Sequence, residues 1–205
     1  YNKIIIIAHC LHTHSSIHVM YFVSGLQVRA FVRDPAKVPD NLKDKVEIFE
    51  GNVLEPDCVN YAVEGMDGVV ILLGTRDCLD QTDDMSEGTR NILESMRAKN
   101  VKNVSACMSC FLLYEPDKVP QRFNELNKDH KRMYDALKDS AANWIAVLPP
   151  HISKEPSSKI VVEVNPKTSP GRQISKHDLG AFMVDCLDEP KYYKTSIGLA
   201  NEPQQ

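Results

Sequence analysis

The cation Arg33 stands where the apolar run 27–33 gives way to the polar stretch Asp34-Pro35-Ala36-Lys37. In a dinucleotide-binding fold, the residue at the end of the second strand meets the adenosine ribose of the cofactor. An acid there bonds the 2′-hydroxyl of NAD, whereas arginine accommodates the 2′-phosphate of NADP. Arg33, supported by Lys37, therefore favours NADPH, and the alternative is a solvated cation at a strand end.

Gly74, Thr75 and Arg76 follow the apolar run that begins at Gly68. A glycine lets the backbone approach a ligand closely, and either Thr75 or Arg76 can donate hydrogen bonds to ribose or phosphate oxygens. The alternative is an ordinary turn.

Ser109 and His151 each lie at the end of an apolar run. A hydroxyl and an imidazole at such positions can orient a nicotinamide or pass a proton to a reduced substrate. A lone histidine after a strand is more often structural. Cys107 and Cys110 form a CxxC, but residues three apart on a strand face opposite sides, which argues against redox or zinc chemistry.

Tyr134 and Lys138 match the Tyr-x-x-x-Lys pattern of short-chain dehydrogenases and share one helix face. Their helix is highly charged, and Tyr134 follows Ser109 at a greater distance than is usual in that family, so we interpret the match as chance. His130, one helical turn earlier, is the better candidate to face the cofactor.

The stretch 8–15 contains no glycine, although a pyrophosphate loop needs glycines for a tight turn and for close backbone approach. The same region is rich in zinc-type ligands, which makes a metal site a second interpretation. No matching ligand cluster follows it, and we predict no metal. The potential ligands are His9, Cys10, His12, His14 and His18.

Short apolar runs alternate with longer stretches of helical spacing along the first 150 residues, which predicts a doubly wound, mostly parallel sheet flanked by helices. We expect one α/β domain over 1–205, with the cofactor half at about 1–110 and substrate-side loops at about 109–122 and 149–175. The predicted strands are 3–8, 27–33, 46–50, 68–74, 103–110 and 143–148, with an added strand at 159–164 and an edge strand at 193–200; the predicted helices are 15–24, 56–63, 85–99, 127–140 and 175–187.

Composition supports an ordinary globular protein. The 205 residues are 42% hydrophobic and 25% charged, with a formal net charge of −4. These values give no bulk attraction to nucleic acid or to an anionic membrane. No apolar run is long enough to span a bilayer, and the start lacks the features of a signal peptide. Six scattered cysteines are typical of a reducing compartment. We therefore expect a cytoplasmic monomer.

Taken together, these motifs resemble the NADPH-dependent flavin reductases, or biliverdin-IXβ reductases, which are atypical short-chain dehydrogenases. The resemblance runs in order through nearly the whole chain from residue 28 onward. The stretches that carry it are Val32-Arg33-Asp34, Gly51-Asn52-Val53-Leu54, Ile71 to Arg76, Met85 to Ile92, Ser109 to Leu113, Lys118-Val119-Pro120, Asp129-His130, Pro149 to Ile152 and Ile174 to Gly180.

The resemblance implies hydride transfer from NADPH to a flavin (FMN, FAD or riboflavin) or to a biliverdin-type linear tetrapyrrole, with the flavin as substrate rather than prosthetic group. It implies catalytic roles for Ser109 and His151. Substrate contacts would come from Phe111, Arg122 and Arg172. The implied cofactor-binding residues are Thr13, Arg33, Val53, Leu73, Gly74, Thr75, Arg76, Met85, His130, Pro150 and Ile152.

This chain departs from that family at its first loop, where Ala8, Leu11 and His14 replace three glycines and Thr13 alone matches. Asn52 also replaces an acid after Gly51. Three explanations stay open: a catalytically silent dinucleotide-sensing or partner-binding protein, a rearranged loop that binds NADPH more weakly, or a local error in the sequence over residues 8–24.

Overall fold

A computed structural model describes residues 3–8, 25–75 and 79–203. The helix predicted over 15–24, together with Thr13 and Arg76, lies outside these residues. The described strands are β1 (Lys3–Ala8), β2 (Gln27–Val32), β3 (Glu47–Glu50), β4 (Gly68–Ile71), β5 (Asn103–Cys107), β6 (Asn143–Leu148), β7 (His151–Ser153), β8 (Ile160–Val164), β9 (Gln173–Ser175) and β10 (Thr195–Asn201). The described helices are α1 (Asp40–Lys43), α2 (Pro56–Val63), α3 (Asp84–Ala98), α4 (Asn124–Asp139) and α5 (Lys176–Asp185).

In the part of the chain that the structure describes, eight strands form one sheet in the order β3-β2-β1-β4-β5-β6-β10-β8. Every neighbouring pair is parallel except β10 with β8, which is antiparallel. The order reverses beside β1, which is the topological switch point of a doubly wound sheet. The fold is therefore the predicted α/β architecture, a Rossmann-like sheet flanked by helices.

The apolar run in β1 explains why this strand lies at the centre. Ile4, Ile5, Ile6 and Ile7 are all nearly inaccessible, because a central parallel strand is covered by helices on both faces. Alternate side chains enter different cores. One core packs against residues of α5, and the other packs against residues of α2, α3 and α4.

Hydrogen bonds hold α5 and the loop after β7 against the sheet. The Ser105 hydroxyl of β5 donates to the Met183 carbonyl of α5 at 2.6 Å. The Asp178 carboxylate of α5 accepts from the Ser158 amide at 3.0 Å and from the Asn201 side chain at 2.7 Å. The loop after β7 is thus tied to both α5 and β10.

Three sequence-based expectations need correction. The strand predicted over 103–110 ends at Cys107, because a short 3₁₀ helix, Cys110–Leu113, begins soon after it. The strand predicted at the edge, β10, lies inside the sheet between β6 and β8, and β8 forms the edge. The two-stranded parallel sheet of β7 and β9 was not predicted, because three-residue strands carry too little periodicity to recognise.

Gly88 allows α3 to lie close to the loop after β3. A Cβ atom at Gly88 would be 2.7 Å from Val53 Cγ2 and 3.2 Å from Leu73 Cδ1, both on buried side chains. Valine has little rotational freedom to move aside. Val53 and Leu73 can therefore pack this closely against α3 only because residue 88 is a glycine.

We expect Gly88→Ala to lower the free energy of unfolding by about 1–2 kcal/mol, because overpacking outweighs the helix-propensity gain of about 1 kcal/mol. Urea denaturation measures the change. Gly74→Ala is the matched control, since a Cβ there would meet nothing within 4 Å. If Gly88→Ala were as stable as that control, the proposed close packing would be wrong.

Candidate functional site

The carboxyl ends of the parallel strands are aligned in one row. Ala8 pairs with Val32 across β1 and β2, and Val32 pairs with Glu50 of β3. On the other side of β1, Ile71 pairs with Ala106, and Cys107 pairs with Val147. The loops that follow these strands therefore emerge at one edge of the sheet, where open α/β sheets bind their ligands.

Arg33 leaves the end of β2 with an exposed side chain. The next residue, Asp34, caps the short 3₁₀ helix Pro35–Lys37 by accepting a hydrogen bond from the Ala36 amide at 3.1 Å. Lys37 lies 3.0 Å from the Asp34 carboxylate, and its hydrogen bond lowers the pKa of Asp34. Lys37 is thus engaged by Asp34, and Arg33 is an exposed cation at the predicted ribose position.

Val53 and Leu73 lie together as apolar residues against Gly88 of α3. Both are buried, and the Val53 carbonyl accepts a hydrogen bond from the Asn91 side chain of α3 at 2.9 Å. Asn52, which replaces the family acid, turns its own loop by accepting from the Leu54 amide at 3.2 Å. The side chains of Val53 and Leu73 therefore offer a ligand apolar contact only.

Gly74 and Thr75 follow β4, next to the switch point. Gly74 faces open space, because an added Cβ would have no neighbour within 4 Å. The Thr75 Oγ1 is buried and has no hydrogen-bond partner among the described residues. Since a buried hydroxyl normally finds a partner, the unmet hydrogen bond among the described residues makes Thr75 a candidate contact for a ligand.

Met85 and His130 lie on α3 and α4, and a carboxylate links them. The fully buried Asp129 Oδ2 accepts the Met85 amide at 3.1 Å, and His130 is the next residue on α4. His130 is buried, and its Nδ1 has no hydrogen-bond partner within the described chain. Burial lowers the pKa of His130 to about 4, although the neighbouring Asp129 carboxylate opposes this shift. The imidazole is therefore neutral at pH 7.

Ser109 and His151 come together because the chain after β5 continues to pair with the chain after β6. Met108 donates to the Val147 carbonyl at 2.9 Å, and Cys110 donates to the Pro149 carbonyl at 3.0 Å. The Ser109 Oγ accepts from the Phe111 amide at 3.2 Å, which leaves its own proton available for donation. His151 begins β7 with an exposed side chain.

Pro150 and Ile152 flank His151, and the small sheet of β7 and β9 fixes the direction of their side chains. Ile152 pairs with Ile174 of β9 and packs partly buried against the core. His151 pairs with Gln173, and both are exposed. Successive residues of a strand point to opposite sides, so the Ile152 side chain packs towards the core while the His151 side chain faces outward.

An aromatic cluster lies just beyond Ser109. The Phe111 ring contacts Tyr114 at 5.4 Å edge-on and Phe123 at 5.1 Å, measured between ring centroids. The Arg122 guanidinium carbon lies 4.6 Å from the Phe123 centroid. Arg172 is exposed immediately before β9. Sequence reasoning identified Phe111, Arg122 and Arg172 but missed Tyr114 and Phe123, because an aromatic residue in a predicted loop carries no periodic signal.

The Tyr-x-x-x-Lys pair has a structural explanation. The Tyr134 hydroxyl shares a hydrogen bond of 2.7 Å with Ser196 of β10, and its ring packs edge-on against Trp144. Lys138 lies over the Tyr134 ring and 2.8 Å from Asp135. These contacts support the interpretation that the sequence match arose by chance.

The cysteine pair and the metal hypothesis concern different parts of the chain. Burial raises the pKa of Cys107 to about 12, which disfavours the thiolate needed for redox or zinc chemistry. The residues His9 to His18 lie outside the described ranges. Within residues 3–8, 25–75 and 79–203, no group of three or more potential ligands is placed to hold a metal ion.

Among the described helices, none combines the length and apolarity needed to cross a membrane.

The fold and the row of strand ends together define a dinucleotide-binding protein of the Rossmann class. A family profile described as NAD(P)H-binding matches residues 20–190, and the chain belongs to that family.

Solved structures with the same fold include three with low sequence identity. A putative epimerase from Bacteroides thetaiotaomicron has a TM-score of 0.82 at 17% identity, over 100% of this chain and 99% of its own. A short-chain dehydrogenase/reductase from Veillonella parvula has a TM-score of 0.80 at 16% identity, over 98% of this chain and 95% of its own. A wide-type short-chain dehydrogenase/reductase from the same organism, in complex with NADP, has a TM-score of 0.78 at 16% identity, over 99% and 96% of the two chains.

The residues at this edge fit NADPH in their chemistry. Arg33 is an exposed cation, Gly74 leaves open space among the described residues, and the buried Thr75 hydroxyl has no hydrogen-bond partner among them. The Nδ1 of the neutral His130 is a second buried polar atom without a partner in the described ranges. A dinucleotide requires both polar partners and free volume, and the described edge offers both.

We expect His130 to make the protein less stable in acid. Its folded pKa of about 4 lies below its ordinary value of 6.5, so the unfolded chain binds more protons between these pH values. The contribution of His130 to the free energy of unfolding is fully present above about pH 6.5. It falls by up to about 3 kcal/mol as the pH drops towards 4.

Urea denaturation at several pH values measures this effect, and NMR titration of the imidazole measures the pKa directly. His130→Gln should flatten the pH dependence between pH 4 and 6.5. His151→Gln is the control, because it removes an exposed imidazole. An unchanged pH profile in His130→Gln would contradict the assignment.

Proposed function

We propose that this protein is an NADPH-dependent reductase that transfers hydride to flavins and to biliverdin-type linear tetrapyrroles. The observation that carries the proposal is the buried Thr75 hydroxyl at the switch point of the sheet, which has no hydrogen-bond partner among the described residues and lies beside Gly74, where an added Cβ would meet none of them within 4 Å. The membership of the NAD(P)H-binding family supports the choice of ligand. The same fold in the Veillonella parvula protein that binds NADP supports it as well.

Arg33 would hold the 2′-phosphate of the adenosine ribose, because it is an exposed cation at the end of β2. Val53, Leu73, Gly74 and Thr75 would line the path from the adenosine towards the pyrophosphate, with Thr13 and Arg76 as further proposed contacts. The residues proposed for the nicotinamide half are Met85, His130, Pro150 and Ile152. When bound, NADPH supplies the hydride from C4 of its nicotinamide.

Ser109 and His151 are the proposed catalytic residues. The Ser109 hydroxyl has a proton to donate once its oxygen has accepted the Phe111 amide, so it can orient a carbonyl or amide group at the reaction site. His151 is exposed and can pass a proton to the reduced substrate. Ser109 follows β5 and His151 follows the adjacent strand β6, which supports a shared position on one side of the proposed cleft.

Flat, conjugated substrates suit the surface beyond Ser109. The ring of Phe111 together with Tyr114 and Phe123 offers apolar contact area. Arg122 and Arg172 would meet the phosphate of a flavin nucleotide or the propionates of a tetrapyrrole. Because the proposed substrate surface is partly exposed, it suits a substrate that binds and leaves rather than a tightly held prosthetic group.

The second candidate is a catalytically silent protein of the same fold that senses dinucleotides or binds a partner. The glycine-free stretch, with Ala8, Leu11 and His14 where the flavin reductases have glycines, favours it. A stretch of this composition can lower the affinity for pyrophosphate without changing the rest of the site.

We further propose a monomer that works in the cytoplasm and has no nucleic-acid or membrane partner. The support is compositional: a net charge of −4, a pI near 6.0 and a mean hydropathy of −0.31.

Titration with NADPH, followed by flavin reduction, tests the proposal. We expect NADPH to bind more tightly than NADH and FMN to be reduced. Ser109→Ala and His151→Ala should lower kcat more than they weaken NADPH binding, because they act on the transfer step. No binding at millimolar NADPH would contradict the reductase, and tight binding without turnover would support the silent protein. Equal losses of kcat and of NADPH affinity in the two variants would mean that Ser109 and His151 only contact the cofactor.

Thr75→Val tests the carrying observation by removing the hydroxyl and keeping the shape. We expect the Kd for NADPH to rise about tenfold, because a buried hydrogen bond is lost, and the melting temperature to be kept or raised. Thr195→Val is the matched control, since the Thr195 hydroxyl donates to the Tyr192 carbonyl at 2.6 Å. The control should lower the melting temperature and leave NADPH affinity unchanged. The same affinity in Thr75→Val as in the wild type would refute the role of this hydroxyl.

A further inference from the structure

The N-terminus of α3 is anchored to α4 by a buried carboxylate. Asp129 is 0% exposed, and its Oδ2 accepts the Met85 amide at 3.1 Å. Its Oδ1 lies 3.2 Å from the Arg132 Nη2, one turn along α4. The N-terminus of α3 therefore has its amide satisfied by the protein's own carboxylate, which also complements the positive end of the helix dipole.

Arg132 extends this anchor to the preceding residues. Its Nη2 donates to the Thr82 carbonyl at 2.7 Å and lies 2.6 Å from the Asp83 carboxylate. The Thr82 hydroxyl oxygen in turn accepts from the Asp84 amide at 3.1 Å. Asp129 and Arg132 thus connect α4 to three residues, Thr82, Asp83 and Met85, and we name this arrangement the α4 latch.

Stability alone is a weak reason for such an arrangement. Burying a carboxylate costs free energy that its ion pair only partly returns, and well-packed apolar residues are often as stable. A latch of charged groups does, however, fix one geometry, because each oxygen and each N–H must meet its partner in a defined direction. This points to a requirement for position rather than for stability.

The latch lies between Met85 and His130, two of the four residues that we assign to the nicotinamide half of the cofactor. Asp129 holds the Met85 backbone directly, and it precedes His130 on the same helix. The distance between α3 and α4 at this point, and with it the place of Met85 relative to the His130 ring, is therefore set by Asp129.

We propose that Asp129 and Arg132 are positioning residues that set the nicotinamide half of the NADPH site. This inference rests on the proposed function, and it concerns residues that touch neither the cofactor nor the substrate. Loss of the latch frees residues 82–85 from α4, which weakens the contacts of the nicotinamide half. The adenosine half, at Arg33 on the far side of β1, keeps its own contacts.

The test compares two ligands in latch variants and in a matched control. The latch variants are Asp129→Asn, which keeps an acceptor for Met85 but loses the charge, and Arg132→Met. The control is Asp135→Asn on the same helix, where the carboxylate pairs with Lys131 at 2.7 Å on the solvent side. The Kd is measured for NADPH and for adenosine 2′,5′-bisphosphate, which represents the adenosine half alone.

We expect the Kd for NADPH to rise about tenfold in both latch variants, the loss associated with a charged hydrogen bond. The Kd for adenosine 2′,5′-bisphosphate should stay unchanged, and Asp135→Asn should affect neither ligand. Arg132→Lys should restore part of the NADPH affinity, because it returns the charge to Asp129. A merely structural role would lower the melting temperature without this split between the two ligands.

Two results would overturn the latch while leaving the proposed function intact: an unchanged Kd for NADPH in Asp129→Asn and Arg132→Met, or an equal loss of affinity for both ligands. A wild-type protein that binds no NADPH overturns the proposed function first, and this role of the latch with it. If Asp129→Asn does not fold, Arg132→Met decides the question, because Arg132 is 36% exposed and leaves the buried backbone contact to Met85 in place.

Discussion

Parallel pairing of β1 with its neighbours on both sides imposes the geometry on which the rest of this molecule depends. Each parallel ladder aligns the carboxyl ends of its strands, so that Val32, Ile71 and Leu148 all lie at the same end of the sheet. Residues separated by more than a hundred positions in the chain are therefore brought to that one end. The burial of β1 on both faces makes this alignment rigid, because a shift in register would break both cores together.

The polar groups at this edge divide into two kinds. Those with partners hold the framework: Asp34 caps its turn, the Ser109 oxygen accepts the Phe111 amide, and Asp129 anchors α3. Those without partners among the described residues, the Thr75 hydroxyl and His130 Nδ1, are buried and neutral. A framework with its own bonds satisfied, surrounding a few unsatisfied atoms, is the arrangement expected of a preorganised binding site, since little is lost in ordering it when a ligand arrives.

Much of this fold was predictable from the sequence, because strands buried on both faces show as continuous apolar runs. The apolar runs at Lys3–Ala8 and Asn143–Leu148 predicted β1 and β6 with correct bounds. The pattern at Pro56–Val63 likewise predicted α2. The placement of β10 was wrong, since no local pattern states which strands will be its neighbours. Arg33, Ser109 and His151 were selected by their positions after strands, whereas Tyr114 and Arg132 were missed because their partners are distant in sequence or lie in loops.

By itself, the sequence determined the alternation of strands and helices, the membership of a Rossmann-type class and the residues that follow each strand. These are local properties, set by hydrophobic periodicity and by the polarity of individual side chains. Only the tertiary structure decided that Tyr134 bonds Ser196 and that Asp129 joins α3 to α4. Such pairings depend on distances between elements, and those distances are fixed by packing in three dimensions rather than by any neighbour along the chain.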